Sequence, residues 1–114
     1  MDPFVRRLVE RLHDPSKPLS RNRHFHTFET PEGRAALKVV RRLRSLQKDI
    51  LACHAEGFRA RIFRHATGKG EHRIELLMER LSGRRVAMLQ SDEFELLAAL
   101  PGVRDALEVF DEAA

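Results

Sequence analysis

The chain is 114 residues long, enough for one hydrophobic core and too short for a second independent one. Its one cysteine, Cys53, excludes an intramolecular disulfide, and no apolar run reaches the length of a signal peptide or a membrane span, so a soluble cytoplasmic protein is expected. The net charge of +4 is uneven: residues 1–70 carry 16 basic and 7 acidic side chains (+9), residues 71–114 carry 5 and 10 (−5). Such a dipolar chain suits nucleic acid, an acidic protein partner or a homodimer meeting through opposite faces. Arginines outnumber lysines by 17 to 4, which fits a GC-rich bacterial genome and equally fits bidentate recognition of phosphate.

Asp2 followed by Pro3 reads as an N-cap and first helical position, and Phe4, Val5, Leu8, Val9 and Leu12 recur at helical spacing to about His13. Asp14 to Arg23 is polar, contains Pro15 and Pro18 and has no period, which predicts an arm over the surface; His24 to Phe28 reads as a short extended piece. Thr30, Pro31 and Glu32 then form the strongest helix start in the chain. Ala36, Val39, Leu43, Leu46, Ile50 and Cys53 make a continuous seam to about His54, with Leu37, Val40 and Leu51 beside it and Arg34, Lys38, Arg41, Arg44 and Lys48 on the opposite side. Packing on a sheet is the expected use of the Val39, Leu43, Leu46 and Ile50 seam; a helix-mediated dimer is the alternative.

Gly57 marks the exit from that helix, and Phe58 to His65 reads as a strand with Phe58, Ala60 and Ile62 on one face. A loop, ATGKGE, leads to a second strand over His72 to Arg80 with Ile74, Leu76 and Met78 inward. A three-residue Leu81–Ser82–Gly83 loop would pair Arg80 with Arg84 and set Met78 opposite Val86, Leu76 opposite Met88 and Glu79 opposite Arg85, matching apolar with apolar and acid with base. After the third strand, Ser91 is the expected cap of a helix bearing Asp92, Glu93 and Glu95 in its first turn and Phe94, Leu97 and Leu100 as its buried stripe. Pro101 and Gly102 stop it, and Val103, Ala106, Leu107 and Phe110 suggest a further helical turn. The expected fold is α+β in one domain: a short helix and polar arm (1–30), a long amphipathic helix (31–54), a three-stranded antiparallel meander (58–90) and a carboxyl-terminal helical segment (91–112).

One face of this sheet must meet helices. The other is expected to carry Arg59, Arg61, Phe63, His65, Arg73, Leu77 and Arg85, with Lys69 on the first hairpin tip. Cations around an aromatic ring make a platform for single-stranded nucleic acid, because guanidinium groups neutralise phosphates while the ring stacks on a base. The competing expectation is a solvated face on which Glu75 and Glu79 pair with the arginines. TGKG lacks the length and the Lys-Ser/Thr ending of a phosphate-binding loop and joins two strands, so it reads as a hairpin loop. The histidines His13, His24, His26, His54, His65 and His72 lack a cysteine pair or carboxylate to complete a zinc set, and Cys53 at a seam position reads as packing; no metal and no cofactor are expected. No Ser-His-Asp pattern, cofactor fingerprint or paired carboxylate points to an enzyme.

From Arg85 to Leu107 the chain resembles the positive-cofactor-four type of transcriptional coactivator, a family that binds single-stranded DNA. Arg85, Val86, Met88, Phe94, Leu97, Leu100, Pro101, Val103, Asp105 and Ala106 fill the family's roles of basic residue, alternating strand, helix aromatic, Leu, apolar-Pro pair and Asp-Ala element, with one extra residue before Phe94 and one fewer before Pro101. The glycine that follows the family's basic residue is replaced here by Val86. The resemblance implies a curved antiparallel sheet followed by one helix, a dimer, and single-strand binding in which Arg85 takes part. Small RelE-like ribonuclease toxins are similar in size, basicity and order of elements, and there Arg61, His65, Arg73 and Arg85 would imitate a cationic active site. The sequence thus favours a non-enzymatic nucleic-acid-binding regulator, with a protein-interaction or dimeric adaptor module as the alternative.

Overall fold

The computed structural model describes residues 1–12, 29–66 and 72–111. They form α1 (Pro3–Leu12), α2 (Pro31–Ala55), β1 (Ala60–Ala66), β2 (His72–Arg80), β3 (Gly83–Gln90), α3 (Ser91–Ala98), a 3₁₀ turn (Arg104–Ala106) and β4 (Leu107–Asp111). This is the α+β class expected. The polar arm, the His24–Phe28 piece and the TGKGE part of the first hairpin loop, with the hairpin-tip Lys69, lie outside the described residues, while Ala66, expected in that loop, ends β1. Among the described residues no helix is long and apolar enough to cross a membrane. The chain divides into two compact units, Met1–Ser45 and Leu46–Ala114.

In the first unit both helix starts form as the sequence indicates. The Asp2 carboxylate accepts from the amides of Phe4 (2.8 Å) and Val5 (3.1 Å), and the Thr30 hydroxyl accepts from the Gly33 amide at 3.0 Å. Each satisfies amides that the first turn leaves without a helical acceptor. Val9, Leu12, Ala36, Leu37, Val40 and Leu43 are buried, whereas Phe4, read as part of the apolar stripe, is exposed.

In the second unit α2 ends at Gly57, whose positive φ lets the Phe58 amide reach the Cys53 carbonyl (2.9 Å) and its own amide reach that of His54 (3.0 Å). This paired closure satisfies the last carbonyls and turns the chain toward β1. The four strands lie in the order β3-β2-β1-β4. Pairing is antiparallel for β3-β2 and β2-β1, and parallel for β1-β4. The segment Leu107–Asp111, expected to be helical, is therefore a fourth strand. Its apolar residues sit at spacings compatible with either period, and pairing with the exposed edge of β1 decides the matter. β3, α3 and β4 together form a crossover that skips two strands. α3 lies against β2 and β3, and Leu96, Leu97, Leu100, Val103 and Ala106 are buried.

The second correction concerns register. Arg80 pairs with Gly83 across a two-residue Leu81–Ser82 turn, so Met78 faces Arg85, Leu76 faces Ala87, Leu77 faces Val86 and Glu79 faces Arg84. The core row of β3 is Ala87 and Leu89, both buried, while Val86 and Met88 stand on the open face. Acidic groups on α2 and just after it account for this choice. The Glu56 carboxylate accepts from the Leu81 amide at 3.0 Å and pairs with Arg80 at 3.5 Å, and Asp49 pairs with Arg85. Matching apolar residues within the hairpin alone overlooks these tethers, which hold the odd-numbered row of β3 toward the helix. The third correction is the cap of α3. Gln90, not Ser91, precedes the first turn, and its amide donates to the Glu93 carboxylate at 3.3 Å.

Candidate nucleic-acid interface

Strand alternation places Arg61, Phe63 and His65 of β1 on the open face, with Arg73, Glu75, Leu77 and Glu79 of β2 and Arg84, Val86, Met88 and Gln90 of β3. The expected cluster is thus partly assembled. Arg61 and Arg73 are exposed and Phe63 is half-buried on this face, while Arg59 is exposed in the segment before β1. Arg85 is not among them. It belongs to the opposite row, toward α2, where Asp49 holds it. Arg61, His65, Arg73 and Arg85 therefore do not converge as the cationic centre of a RelE-like site would require.

The open face is also less positive than its arginines suggest. Arg61 pairs with Glu79 at 3.8 Å and His65 with Glu75 at 3.3 Å, and β4 brings Glu108 into register beside Arg61. Three arginines meet three glutamates. The unit as a whole contains 10 basic and 12 acidic residues, whereas Met1–Ser45 contains 11 and 5. Positive charge is thus concentrated in the first unit.

Within the first unit it gathers on α2. Between Glu32 and Asp49 this helix carries Arg34, Lys38, Arg41, Arg42 and Arg44 within that unit, then Lys48 just beyond it, and no acidic residue. Arg34, Lys38 and Arg41 fall at i, i+4 and i+7 on one stripe and are exposed; Arg42 and Arg44 flank them, half-buried. The sequence displays this row plainly as the polar side of an amphipathic helix. Sequence reasoning did not single it out because every helix of that kind has a polar side, and only the charge balance of the sheet shows where the excess lies.

Leu43, Leu46 and Ile50 are completely buried and Val39 is half-buried, so the seam packs inside the chain. Cys53 is buried too. Burial raises its thiol pKa above the ordinary value, with the nearby Arg80 charge opposing and Glu56 and Asp49 reinforcing the shift, so the group stays protonated and unreactive at neutral pH. Among the described residues no group of three His, Cys, Asp or Glu side chains is placed to hold a metal ion; His24 and His26 lie outside them. A cleft of about 350 Å³ that sequence reasoning missed is lined by Arg64, Phe94, Glu95, Ala98, Arg104 and Leu107. It depends on β4, which the sequence did not reveal as a strand. No family model, curated protein or solved structure matches the chain.

Proposed function

We propose that this protein is a small, non-enzymatic nucleic-acid-binding regulator, acting in the cytoplasm in transcription, replication or repair, whose phosphate contacts are made by the outer side of α2. The observation that carries the reading is the exposed row Arg34, Lys38 and Arg41 in a stretch of six cations without an acid. Successive members of such a row stand about 5–6 Å apart on a stiff helix. Neutralising phosphates with them releases counterions, which gives affinity that falls steeply with salt and carries little sequence information. The resemblance of Arg85–Leu107 to the coactivator family supports the same class.

A preference for single strands rests on different residues, Arg61, Phe63 and Arg73 on the open sheet face, where the half-buried ring offers limited area for stacking. The two contributions separate by mutation. Fluorescence anisotropy of labelled single-stranded and duplex oligonucleotides at two salt concentrations is the test. Lys38→Glu with Arg41→Glu is expected to weaken both by about tenfold or more at low salt and to flatten the salt dependence. Arg61→Ala with Arg73→Ala is expected to lower single-strand affinity only. Absence of binding by the wild-type chain at low salt overturns the proposal, and an undiminished affinity in a folded Lys38→Glu, Arg41→Glu variant removes α2 as the contact.

A further inference from the structure

We infer that β3 is the seam of a homodimer in which two copies of the chain join edge to edge. This goes beyond phosphate binding and does not depend on it. Among the described residues no strand pairs with the outer edge of β3, which is terminal in the order β3-β2-β1-β4. Edge strands in monomeric proteins are usually guarded by shortness, by proline, by a bulge or by charge directed at the edge. β3 is eight residues long, contains no proline and keeps one uninterrupted register from Arg73↔Gln90 to Arg80↔Gly83. Its side chains nearest the middle of the open face are Val86 and Met88, 49% and 46% exposed. Val86 lies directly beside Leu77, and Phe63 is the diagonal neighbour of Leu77 one strand further in. An apolar strip thus crosses the open face and stops at the edge, as though continued by something beyond it.

Three properties of this edge select a second copy as the occupant. Arg61, Arg73 and Arg84 balance Glu75, Glu79 and Glu108 on the open face, so an acidic protein gains no net attraction there, while a like surface suffers no net repulsion. The strand is also self-complementary. A two-fold axis perpendicular to the sheet through Ala87 would set Val86 opposite Met88 of the second copy, Met88 opposite its Val86, and Arg84 opposite its Gln90. Centring the axis on Val86 would instead oppose Arg84 to Met88, and centring it on Arg85 would oppose that arginine to itself. Only the Ala87 register joins each exposed apolar side chain of the edge to the other kind and keeps like charges apart. The product is a continuous eight-stranded sheet with the apolar strip running across its centre. An edge contact of this length is small beside the roughly 800 Å² per partner of a standard interface, so association in the micromolar range is expected.

The test is sedimentation velocity of the full chain across a concentration series spanning that range, for the wild type and for Val86→Lys with Met88→Lys. Both positions are exposed, so the variant is expected to keep its fold, checked by circular dichroism, and to self-associate about tenfold or more weakly. Lys38→Glu serves as a control expected to leave association unchanged. Register is read by oxidising an equimolar mixture of Val86→Cys and Met88→Cys chains in a Cys53→Ala background. The inference requires the mixed disulfide to exceed either symmetric one by well more than the twofold excess that random pairing gives. A wild-type monomer at every concentration overturns it, as does a dimer indifferent to the two lysines or one whose only disulfides are symmetric.

Discussion

Residues Met1–Ser45 hold 11 basic and 5 acidic side chains, Leu46–Ala114 hold 10 and 12, yet it is the second unit that contains the strands bearing the arginines most suggestive of a binding face. The difference teaches that a count of cations on a face is a poor guide to its potential. On the sheet Arg61 pairs with Glu79 and has Glu108 beside it, and Arg84 lies opposite the same Glu79; surface pairs of this kind cancel at a distance while adding little stability. On α2 Arg34, Lys38 and Arg41 share one stripe in a stretch that holds no acidic residue between Glu32 and Asp49, so positive charge accumulates along it.

The sharpest way to break the comparison is to ask whether the two faces of the sheet differ as burial indicates. Leu76 is completely buried in the inner row and Leu77, the next residue, is half-buried on the open face. Leu76→Ala is expected to cost about 2–5 kcal/mol by urea denaturation, since it removes transfer energy and leaves a cavity. Leu77→Ala, whose side chain is still partly in water, is expected to cost less than about half as much. Equal losses would mean that the open face is covered in solution, and the inventory of exposed residues on β3 would have to be redrawn.

Much of this architecture is legible in the sequence where local physics decides it. Asp2-Pro3 and Thr30-Pro31 mark helix starts because side-chain oxygens and a fixed φ act within one turn, and Gly57 marks an exit because few other residues adopt its backbone angles. The long seam is legible because its period persists from Ala36 to Cys53. What escaped was settled at long range. The β2–β3 register turns on Glu56 and Asp49, which are 25 and 36 positions from their partners Leu81 and Arg85. β4 exists because β1 has an edge to offer, a fact absent from the LEVFD segment itself. The misplacement of Arg85 among the candidate contacts followed directly from the register, since a shift of one residue moves every side chain of a strand to the other face.

A smaller effect sharpens the comparison from the side of the first unit. Thr30→Ala removes the oxygen that accepts from the Gly33 amide and is expected to cost about 1 kcal/mol. The loss frays the turn that carries Arg34. Salt-dependent oligonucleotide binding should therefore weaken slightly in this variant, with no change in self-association. If sedimentation changes instead, the roles assigned to the two units would have to be exchanged.

The smallest expected effect is a pH dependence confined to the second unit. Burial raises the folded-state pKa of Cys53 above its unfolded value, so the folded protein holds the thiol proton at pH values where the unfolded chain has released it. The contribution is therefore fully present below the unfolded pKa, about 8.5, and declines as pH rises beyond it, because the unfolded state then binds fewer protons than the folded one. Urea denaturation between pH 7.5 and about 10 should show a falling stability that Cys53→Ala reduces in slope, whatever its cost at neutral pH. A thiol-specific reagent should label wild-type Cys53 only as fast as the chain opens. Rapid labelling of the folded protein, or a slope unchanged by the substitution, would show that the α2 face bearing Cys53 is open to water and that the core of the sheet unit is drawn too tightly around it.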